Sequence, residues 1–344
     1  MLLIAAGCSD STESSSEPKK DGELDKSVTL RVLEAGGPSG DYMEKGFVEP
    51  FTEKTEIKVV RESPTSLGKL QAMVESGQHT YDLVEVSSGN LYQAISGDLI
   101  EKLDWEQIKP DPTNEEGQHE YGIGYQYYST IMAWNPDAAG GKELTSWADF
   151  WDVEKFPGKR SLPDYAVFAL PIALLADGVP KDQLYPLDID RAFKSLEKIK
   201  KHVSVWWQSG SQPSQLLKDK EVDYSAAWSG RIVENEDNIK YSFNEGLLDL
   251  SYLVVPKGAK NISETNAFIH EMTVAENQAK ASEVLPYTGP SKELTALLPQ
   301  DRLEAFPSSD INYEKQTFTD SEWWAEHGTE VEEKWELFKL NLNN

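Results

Sequence analysis

The chain has 344 residues, of which 39% are hydrophobic, so it is long enough for about two domains with sizeable cores. Its 33 basic and 59 acidic side chains give a formal net charge of -26. Because Lys and Arg must displace the counterions of a polyanion, this charge excludes a general nucleic-acid binder. It also argues against docking on an anionic membrane through a basic patch. The acidity fits solubility alone or the attraction of cationic ligands.

The cysteine and histidine residues offer little for metal or disulfide chemistry. A single cysteine cannot form an intramolecular disulfide or a structural zinc site made of cysteines. The five histidines are dispersed along the chain, and no two have the i, i+4 spacing of a helical zinc site. We therefore expect no metal and no cofactor.

The first eight residues, MLLIAAGC, look like the end of a bacterial lipoprotein signal peptide, although Ala5 stands where Leu is commoner. We expect residues 1–8 to be a signal remnant in which Cys8 is lipidated after cleavage. The basic region of such a signal is missing, so we expect its true start to lie upstream of Met1. Residues 9–27 are polar and almost free of apolar side chains, which predicts a flexible tether. The lipid would be the protein's only membrane contact.

After the tether, strand and helix patterns alternate. Strands are predicted over 28–33, 57–60 and 81–86, and helices over 41–54, 67–74 and 91–96. This repetition predicts a mainly parallel sheet covered by helices, with ligands bound beyond the carboxyl ends of the strands. The loops at that edge are 35–40 and 87–90. Loop 35–40 lacks the spacing of a phosphate-binding loop, so we expect a turn, with Gly37 a candidate for close backbone approach to a ligand or to the opposite lobe.

A second unit follows with its own alternation. Residues 121–134, 221–228 and 251–255 are predicted as extended, and 146–156, 188–203, 211–219 and 321–340 as helical. The helix at 146–156 would begin at the capping residue Ser146 and stop at Pro157 and Gly158.

Eight segments in chain order jointly resemble one family, the spermidine/putrescine-type solute-binding proteins of bacterial ABC importers. They include FVEPFTEKTEIKVV (47–60), YDLVEVSS (81–88), SWADFWDVEKFPGKRSL (146–162), WWQSGSQPSQLLKDKEVDYSAAWSGR (206–231) and VVPKGAKN (254–261). The resemblance spans essentially everything after the tether.

The resemblance implies an α/β, two-lobed periplasmic-binding-protein fold of type II-like architecture, with two crossings joining the lobes around a ligand cleft. Lobe one would hold 28–127 and 251–300, and lobe two 128–250 and 301–344. Such a protein catalyses nothing, closes on its ligand by hinge motion and delivers it to ABC permease transmembrane subunits. We expect a monomer in the periplasm or on the outer face of the cytoplasmic membrane.

Aromatic residues are one half of what the resemblance implies for an amine-binding cleft, because their faces attract ammonium groups. Trp228 stands where the family places a cleft Trp, and Tyr287 matches a cleft Tyr near the second crossing. Ser87 matches a hydroxyl in the loop after the third strand. Trp206 and Trp207 could add further planes, but adjacent strand residues point to opposite faces, so at most one should reach the cleft.

Carboxylates are the other half, and the aligned positions lack them. Two acids of the polyamine binders fall on Tyr165 and Phe168 here, although Asp164 is only one residue away. A third acid falls on Ser251, and its neighbouring Trp falls on Asp249. The sequence therefore predicts a cleft that has lost the acids of a polyamine site.

A basic residue takes their place in this interpretation. Arg231 follows Gly230 where polyamine binders commonly carry a small residue, and it could bind a carboxylate bidentately. Arg160 is a weaker candidate of the same kind. The hypothesis is a ligand with both an ammonium and a carboxylate, such as γ-aminobutyrate or a related amine. An ion pair of Arg231 with Glu234 or Glu236 is the competing interpretation.

Three other functions remain open. True spermidine or putrescine specificity is the first alternative, since the negative charge favours cations at long range. A lipoprotein that serves a sensor instead of a permease is the second. An enzyme is the third, but Ser209, Gly210 and Ser211 lack the frame of a nucleophile elbow, and Glu101 with Asp104 fits a solvated loop.

Overall fold

The structure is a computed structural model that describes residues 24–233 and 238–342. The predicted signal remnant with Cys8, and all of the predicted tether before residue 24, lie outside the described residues. Within the described ranges, no helix combines the length and the apolar character needed to cross a bilayer.

The strands form one mixed sheet. They are β1 (Thr29–Leu33), β2 (Lys58–Glu62), β3 (Leu83–Ser87), β4 (Gln118–His119), β5 (Gly122–Trp134), β6 (Arg160–Pro163), β7 (Val203–Trp207), β8 (Tyr224–Trp228), β9 (Lys240–Val254) and β10 (Thr317–Phe318).

Helices cover the sheet. They are α1 (Gly37–Met43), α2 (Glu49–Thr55), α3 (Leu67–Ser76), α4 (Ser88–Ser96), α5 (Trp105–Ile108), α6 (Trp147–Trp151), α7 (Ala166–Ala176), α8 (Ile189–Ile199), α9 (Gln212–Lys218), α10 (Ile262–Thr273), α11 (Ala275–Val284), α12 (Leu294–Leu297) and α13 (Ser321–Leu340). A π-helical turn, Glu44–Val48, joins α1 to α2, so the predicted helix over 41–54 is one continuous helical stretch.

The sheet order is β2-β1-β3-β9-β5-β8-β6-β7. At one end β1 runs parallel to β2 and β3, and at the other β6 runs parallel to β7 and β8. In the middle, β9 is antiparallel to β3 and β5, and β5 is antiparallel to β8. The prediction of a mainly parallel sheet is correct for the two ends and wrong for the centre, because the two long strands β5 and β9 are shared between the halves.

The apolar side chains form two main groups of buried clusters. The first core draws on residues 30–127 and 248–287, and the second core on 132–247 and 324–338. Tyr313 and Phe318 pack against the first core, while α13 buries Trp324 and Trp335 in the second. Helix α13 also packs against α4 of the first half, so it spans both halves. The predicted lobe boundaries stay a prediction.

Local sequence signals explain several helix ends. The Ser146 hydroxyl accepts the Asp149 N–H at 3.2 Å, which is the predicted cap of α6. The helix ends at Trp151, earlier than predicted, although Pro157 and Gly158 follow as expected. Asp320 caps α13 by accepting the Trp323 N–H at 2.9 Å. Helix α7 has no place among the predicted elements, because it is buried almost all round and carries no amphipathic pattern.

Candidate ligand-binding site

A cavity of about 970 Å³ lies between the two halves of the molecule. Its wall is formed by the first turns of α4 and α7, by β5, β8 and β9, and by one side of α13. Ligand sites of α/β proteins occur at such clefts, where elements from two halves converge. The cavity therefore frames the candidate site.

A buried carboxylate lies on the wall of the cavity. Asp249 on β9 is 4% exposed, and its carboxylate accepts hydrogen bonds from the Ser88 hydroxyl and from the Tyr128 hydroxyl at 2.9 Å. The Leu250 N–H donates to the same group at 2.8 Å. Burial raises the pKa of Asp249, and these three hydrogen bonds oppose the shift. A cation in the cavity would stabilise the ionised form.

This carboxylate corrects one sequence-based prediction. The aligned acid falls on Ser251, whereas the acid on the cavity wall is Asp249, two residues earlier on the same face of β9. The cavity wall therefore carries an acid close to the aligned position, contrary to the expectation that none remains there. A signal was present, because Asp249 is the one charged residue in the otherwise apolar and hydroxyl-bearing run LLDLSYLVV (247–255).

Aromatic rings form another part of the wall. Trp228 lies at the end of β8 and contacts Tyr128 and Phe168 edge-on, each with ring centroids 6.2 Å apart. Its indole Nε1 is buried and has no hydrogen-bond partner within the described residues. Tyr165 also lines the cavity, so rings occupy both aligned positions that carry acids in the polyamine binders. Trp228, Tyr165 and Phe168 thus lie where the alignment puts the ligand.

The Trp206–Trp207 pair lies outside the cavity wall. Trp207 is fully buried behind Trp228, at 5.4 Å between ring centroids, and its Nε1 donates to the Ala226 carbonyl at 2.8 Å. Trp206 packs against Trp335 of α13 at 5.5 Å. Their strand β7 is the outermost of its half, Trp206 packs against the second core, and Trp207 packs against the rings of Tyr165 and Trp228. That one of the two reaches the ligand stays a prediction.

Ser87 lines the cavity, and its contact with a ligand stays a prediction. Its hydroxyl caps α4 by accepting the Asn90 N–H at 3.3 Å, so the neighbouring Ser88 is the residue that contacts Asp249. Gly37, with φ +60°, begins α1 and lies outside the cavity lining, so its approach to a ligand stays a prediction.

Asp164 and Arg160 have structural partners instead of a place on the wall. Asp164 accepts the Trp335 Nε1 hydrogen at 3.1 Å and lies 3.3 Å from Nζ of Lys339, which ties it to α13. Arg160 is fully buried and donates to the Phe150 carbonyl at 3.0 Å. Neither residue lines the cavity, and their part in ligand binding stays a prediction.

Arg231 and Tyr287 lie together beside the aromatic wall, and neither lines the cavity. Tyr287 is 5% exposed, and its ring lies 6.2 Å from that of Tyr128. Burial raises the pKa of Tyr287 to about 12, opposed by the charge of Arg231 and a hydrogen bond from the Gly230 backbone. Nε of Arg231 is buried and has no hydrogen-bond partner among the described residues. The competing partners Glu234 and Glu236 lie outside the described residues.

Residues 46–307 match the family model of bacterial extracellular solute-binding proteins. The chain belongs to this family.

Two curated relatives and one solved structure show which members this solute-binding protein resembles. It is 34% identical over 319 residues to a gamma-aminobutyric acid-binding protein of Pseudomonas aeruginosa, covering 90% of each chain. It is 24% identical over 302 residues to a spermidine/putrescine-binding periplasmic protein of Escherichia coli, covering 84% of this chain and 85% of the other. An ABC transporter substrate-binding protein from Bradyrhizobium japonicum superposes with a TM-score of 0.87 at 32% identity, covering 90% and 99% of the two chains.

These similarities confirm the family resemblance inferred from the sequence and its periplasmic-binding-protein fold. The protein is a substrate-binding protein of the ABC-transporter class. Its named relatives are solute-binding proteins, and the family is extracellular.

The solute-binding protein has a further cavity wall that sequence reasoning did not single out. Glu332, Glu333 and Glu336 of α13 line the cavity opposite α4. Burial and the charge of Glu336 raise the pKa of Glu332. The helix was predicted, but its place across the cleft depends on contacts with both halves. Among the described residues, no group of three or more His, Cys, Asp or Glu is arranged to hold a metal.

Proposed function

We propose that this solute-binding protein captures a γ-aminobutyrate-like ω-amino acid and hands it to an ABC permease. The observation that carries the proposal is the buried carboxylate of Asp249 on an aromatic-walled cavity, with Arg231 three residues after Trp228. The neighbouring rings of Tyr128 and Tyr287 connect the Asp249 carboxylate with the Arg231 guanidinium, an arrangement that would suit a ligand with opposite charges at its two ends.

Asp249 would bind the ammonium group. Its two oxygens already accept neutral hydroxyl donors from Ser88 and Tyr128, which orient the carboxylate without neutralising it. Since burial disfavours its ionised form, an arriving ammonium gains a charge-assisted hydrogen bond with little solvent competition.

The aromatic rings would hold the methylene chain and the face of the cation. Trp228, Tyr128 and Phe168 form an edge-to-face group that presents apolar surface to the cavity. Trp and Tyr are the rings that attract ammonium most strongly.

Arg231 would bind the carboxylate of the ligand. Its buried Nε is a donor that lacks a partner in the described part of the chain, and Nε1 of Trp228 is another. Buried donors without partners are uncommon, so an acceptor supplied by a ligand would satisfy both. The gamma-aminobutyric acid-binding relative, at 34% identity, favours the same ligand chemistry.

The test is a titration of the full chain with γ-aminobutyrate, putrescine, spermidine, glycine betaine and choline, read by calorimetry and by thermal shift. We expect γ-aminobutyrate to bind and Arg231→Gln to weaken that binding about 30-fold or more, as for a lost buried charge pair. Arg191→Gln, which removes an ion pair with the Asp177 carboxylate and a hydrogen bond to the Asp177 carbonyl outside the cavity lining, is the matched control.

Two outcomes would contradict the proposal. Unchanged γ-aminobutyrate affinity in Arg231→Gln would show that the ligand carboxylate binds elsewhere. Binding of spermidine or putrescine alone would favour the polyamine alternative, which the three glutamates of α13 and the spermidine/putrescine-binding relative support.

Lipidation of Cys8 belongs to the same proposal, because a tethered receptor stays near its permease. A cell-fractionation experiment tests it: the native protein should sediment with membranes, and Cys8→Ser should appear in the soluble extracytoplasmic fraction. Identical fractionation of both would rule out the anchor. Loss of solute uptake on deletion of the gene would distinguish transport from sensing.

A further inference from the structure

The Trp228 ring of the cavity wall is enclosed by other rings and by a loop. Its centroid lies 5.4 Å from that of Trp207 and 6.2 Å from those of Tyr128 and Phe168, and each contact is edge-to-face. Gly210 lies against the same ring, because a Cβ added there would be 2.5 Å from Cζ3 of Trp228. Since the packing is this close, a shift of the loop that carries the glycine displaces the ring or removes its support.

That loop is residues 208–211, between β7 and α9, and two adjacent residues at the end of β6 hold it. The Gln208 Nε2 group donates to Oδ2 of Asp164 at 2.7 Å. The Gln208 carbonyl accepts the Tyr165 hydroxyl, also at 2.7 Å. Asp164 and Tyr165 thus fix the side chain and the backbone of the first loop residue, two residues before the glycine that touches the ring.

The other oxygen of the Asp164 carboxylate faces α13. Oδ1 accepts the Trp335 Nε1 hydrogen at 3.1 Å and lies 3.3 Å from Nζ of Lys339. The Asp164 side chain is 8% exposed, so water competes little for these contacts. Because α13 also packs on α4 of the other half, this one carboxylate connects the loop that supports the ring with a helix that spans both halves.

We propose that Asp164 is a positioning residue for ligand binding, which holds the Trp228 ring in place through its hydrogen bond to the 208–211 loop. The inference rests on the proposed function, since it takes Trp228 to be a ring that the ligand contacts. Asp164 itself touches no ligand. It raises the affinity because a ring that is already in place loses less conformational freedom when the ligand arrives.

The test exchanges the two ends of the hydrogen bond between Asp164 and Gln208. Asp164→Asn can keep Oδ1 as the acceptor for Trp335, but it turns an amide donor toward the amide donor of Gln208. Gln208→Glu places two carboxylates against each other. We expect each single variant to bind γ-aminobutyrate about fivefold more weakly than the wild type, by calorimetry on the full chain. In the double variant the new amide donates to the new carboxylate, so the affinity should return to within about twofold of the wild type.

This rescue separates positioning from a purely structural tie to α13, because the exchange restores only the bond to the loop. The Trp228→Ala background gives a second readout: there Asp164→Asn should change the affinity less than about twofold, since the ring it positions is gone. Asp219→Asn is the matched control, because Gln215 Nε2 donates to the Asp219 carboxylate at the same 2.7 Å outside the cavity lining. It should bind γ-aminobutyrate as the wild type does.

Wild-type affinity in both single variants overturns the positioning role, and so does a loss in Asp164→Asn that Gln208→Glu does not reverse. If the wild type binds putrescine and not γ-aminobutyrate, the proposed function fails, and the same variants titrated with putrescine decide this inference by the same pattern. Binding of neither solute overturns both.

Discussion

Tyr128 and Asp249 face each other directly on the antiparallel strands β5 and β9, and the Tyr128 hydroxyl donates to the Asp249 carboxylate at 2.9 Å. These are the two long strands that both halves of the sheet share. The carboxylate of the candidate site therefore lies on the connection between the halves, where Ser88 of the first half also reaches it. A ligand bound there contacts elements of both halves at once.

Asp249→Asn should abolish ligand binding and raise the melting temperature of the ligand-free protein at neutral pH. The variant keeps the shape but loses the charge, which removes about 2–5 kcal/mol from a buried charge-assisted contact. Burial raises the pKa of Asp249 in the folded state. The folded protein therefore loses stability as the pH rises from the ordinary pKa of an aspartate to the raised pKa, because Asp249 ionises over that range. Calorimetry and thermal unfolding measure the two effects.

The exposed Asp137, which pairs with Lys220 at 3.6 Å, provides the control variant Asp137→Asn. It should leave both binding and melting temperature as in the wild type. An Asp249→Asn protein that binds γ-aminobutyrate with wild-type affinity would remove Asp249 from the site.

Trp228→Ala should weaken ligand binding by about 1 kcal/mol or more, because the cavity loses a ring that would face the ammonium. Trp228→Phe keeps an aromatic face and removes the unpartnered indole donor. An intermediate affinity for the Phe variant would assign part of the effect to the N–H group. Titration of both variants with ligand at one salt concentration measures their affinities. An unchanged affinity in Trp228→Ala would mean that the Trp228 ring has a packing role alone.

Gly230→Ala should weaken ligand binding and reduce thermal stability, because a Cβ at this position would lie 2.5 Å from Cε1 of Tyr287. Either the turn that carries Arg231 or the Tyr287 ring must move, at a cost of about 1–3 kcal/mol as in other overpacked sites. Thermal unfolding and calorimetry test this expectation. Gly68→Ala is the control, because a Cβ at Gly68 would meet only open space. Equal melting temperatures and affinities of the two variants would contradict the expected clash at Gly230.

Glu85→Gln should stabilise the ligand-free protein at pH 8 and have little effect at pH 4. Burial is the main cause that raises the pKa of Glu85 to about 7. The charge of Glu34 also raises this pKa, whereas the hydrogen bond from the Ala35 N–H lowers it. Because the folded state holds this proton more tightly than the unfolded state, stability falls as pH rises between the ordinary pKa of 4.5 and about 7. The full difference corresponds to roughly 3 kcal/mol.

Urea unfolding at the two pH values measures this difference, with exposed Glu143→Gln as the control. The Gln side chain can still accept the Ala35 N–H, so the shape of the site is retained. A stabilisation that is the same at both pH values would refute the ionisation argument.

The elements that sequence reasoning predicted well are those with local signals. Strand β1, helix α3 and helix α13 match their predicted ranges closely, because alternation, caps and periodic apolar residues are encoded within each segment. Helix α7 was not predicted, because a helix buried on nearly all sides carries no such periodicity. The antiparallel centre of the sheet was not predicted either, because strand pairing joins residues that are far apart in the chain.

Motif positions along the chain were enough to indicate the family of the protein. They also predicted Trp228 and Ser87 for the cleft, and both residues line the cavity. Which acid belongs to the cleft depends instead on tertiary contacts. The register of β9 with β5 places Asp249 next to Tyr128, and the position of α4 places it next to Ser88. Helix α13 crosses the cleft because it packs on both halves. A local motif specifies a residue's type and face, whereas its neighbours in a cleft depend on contacts between distant segments.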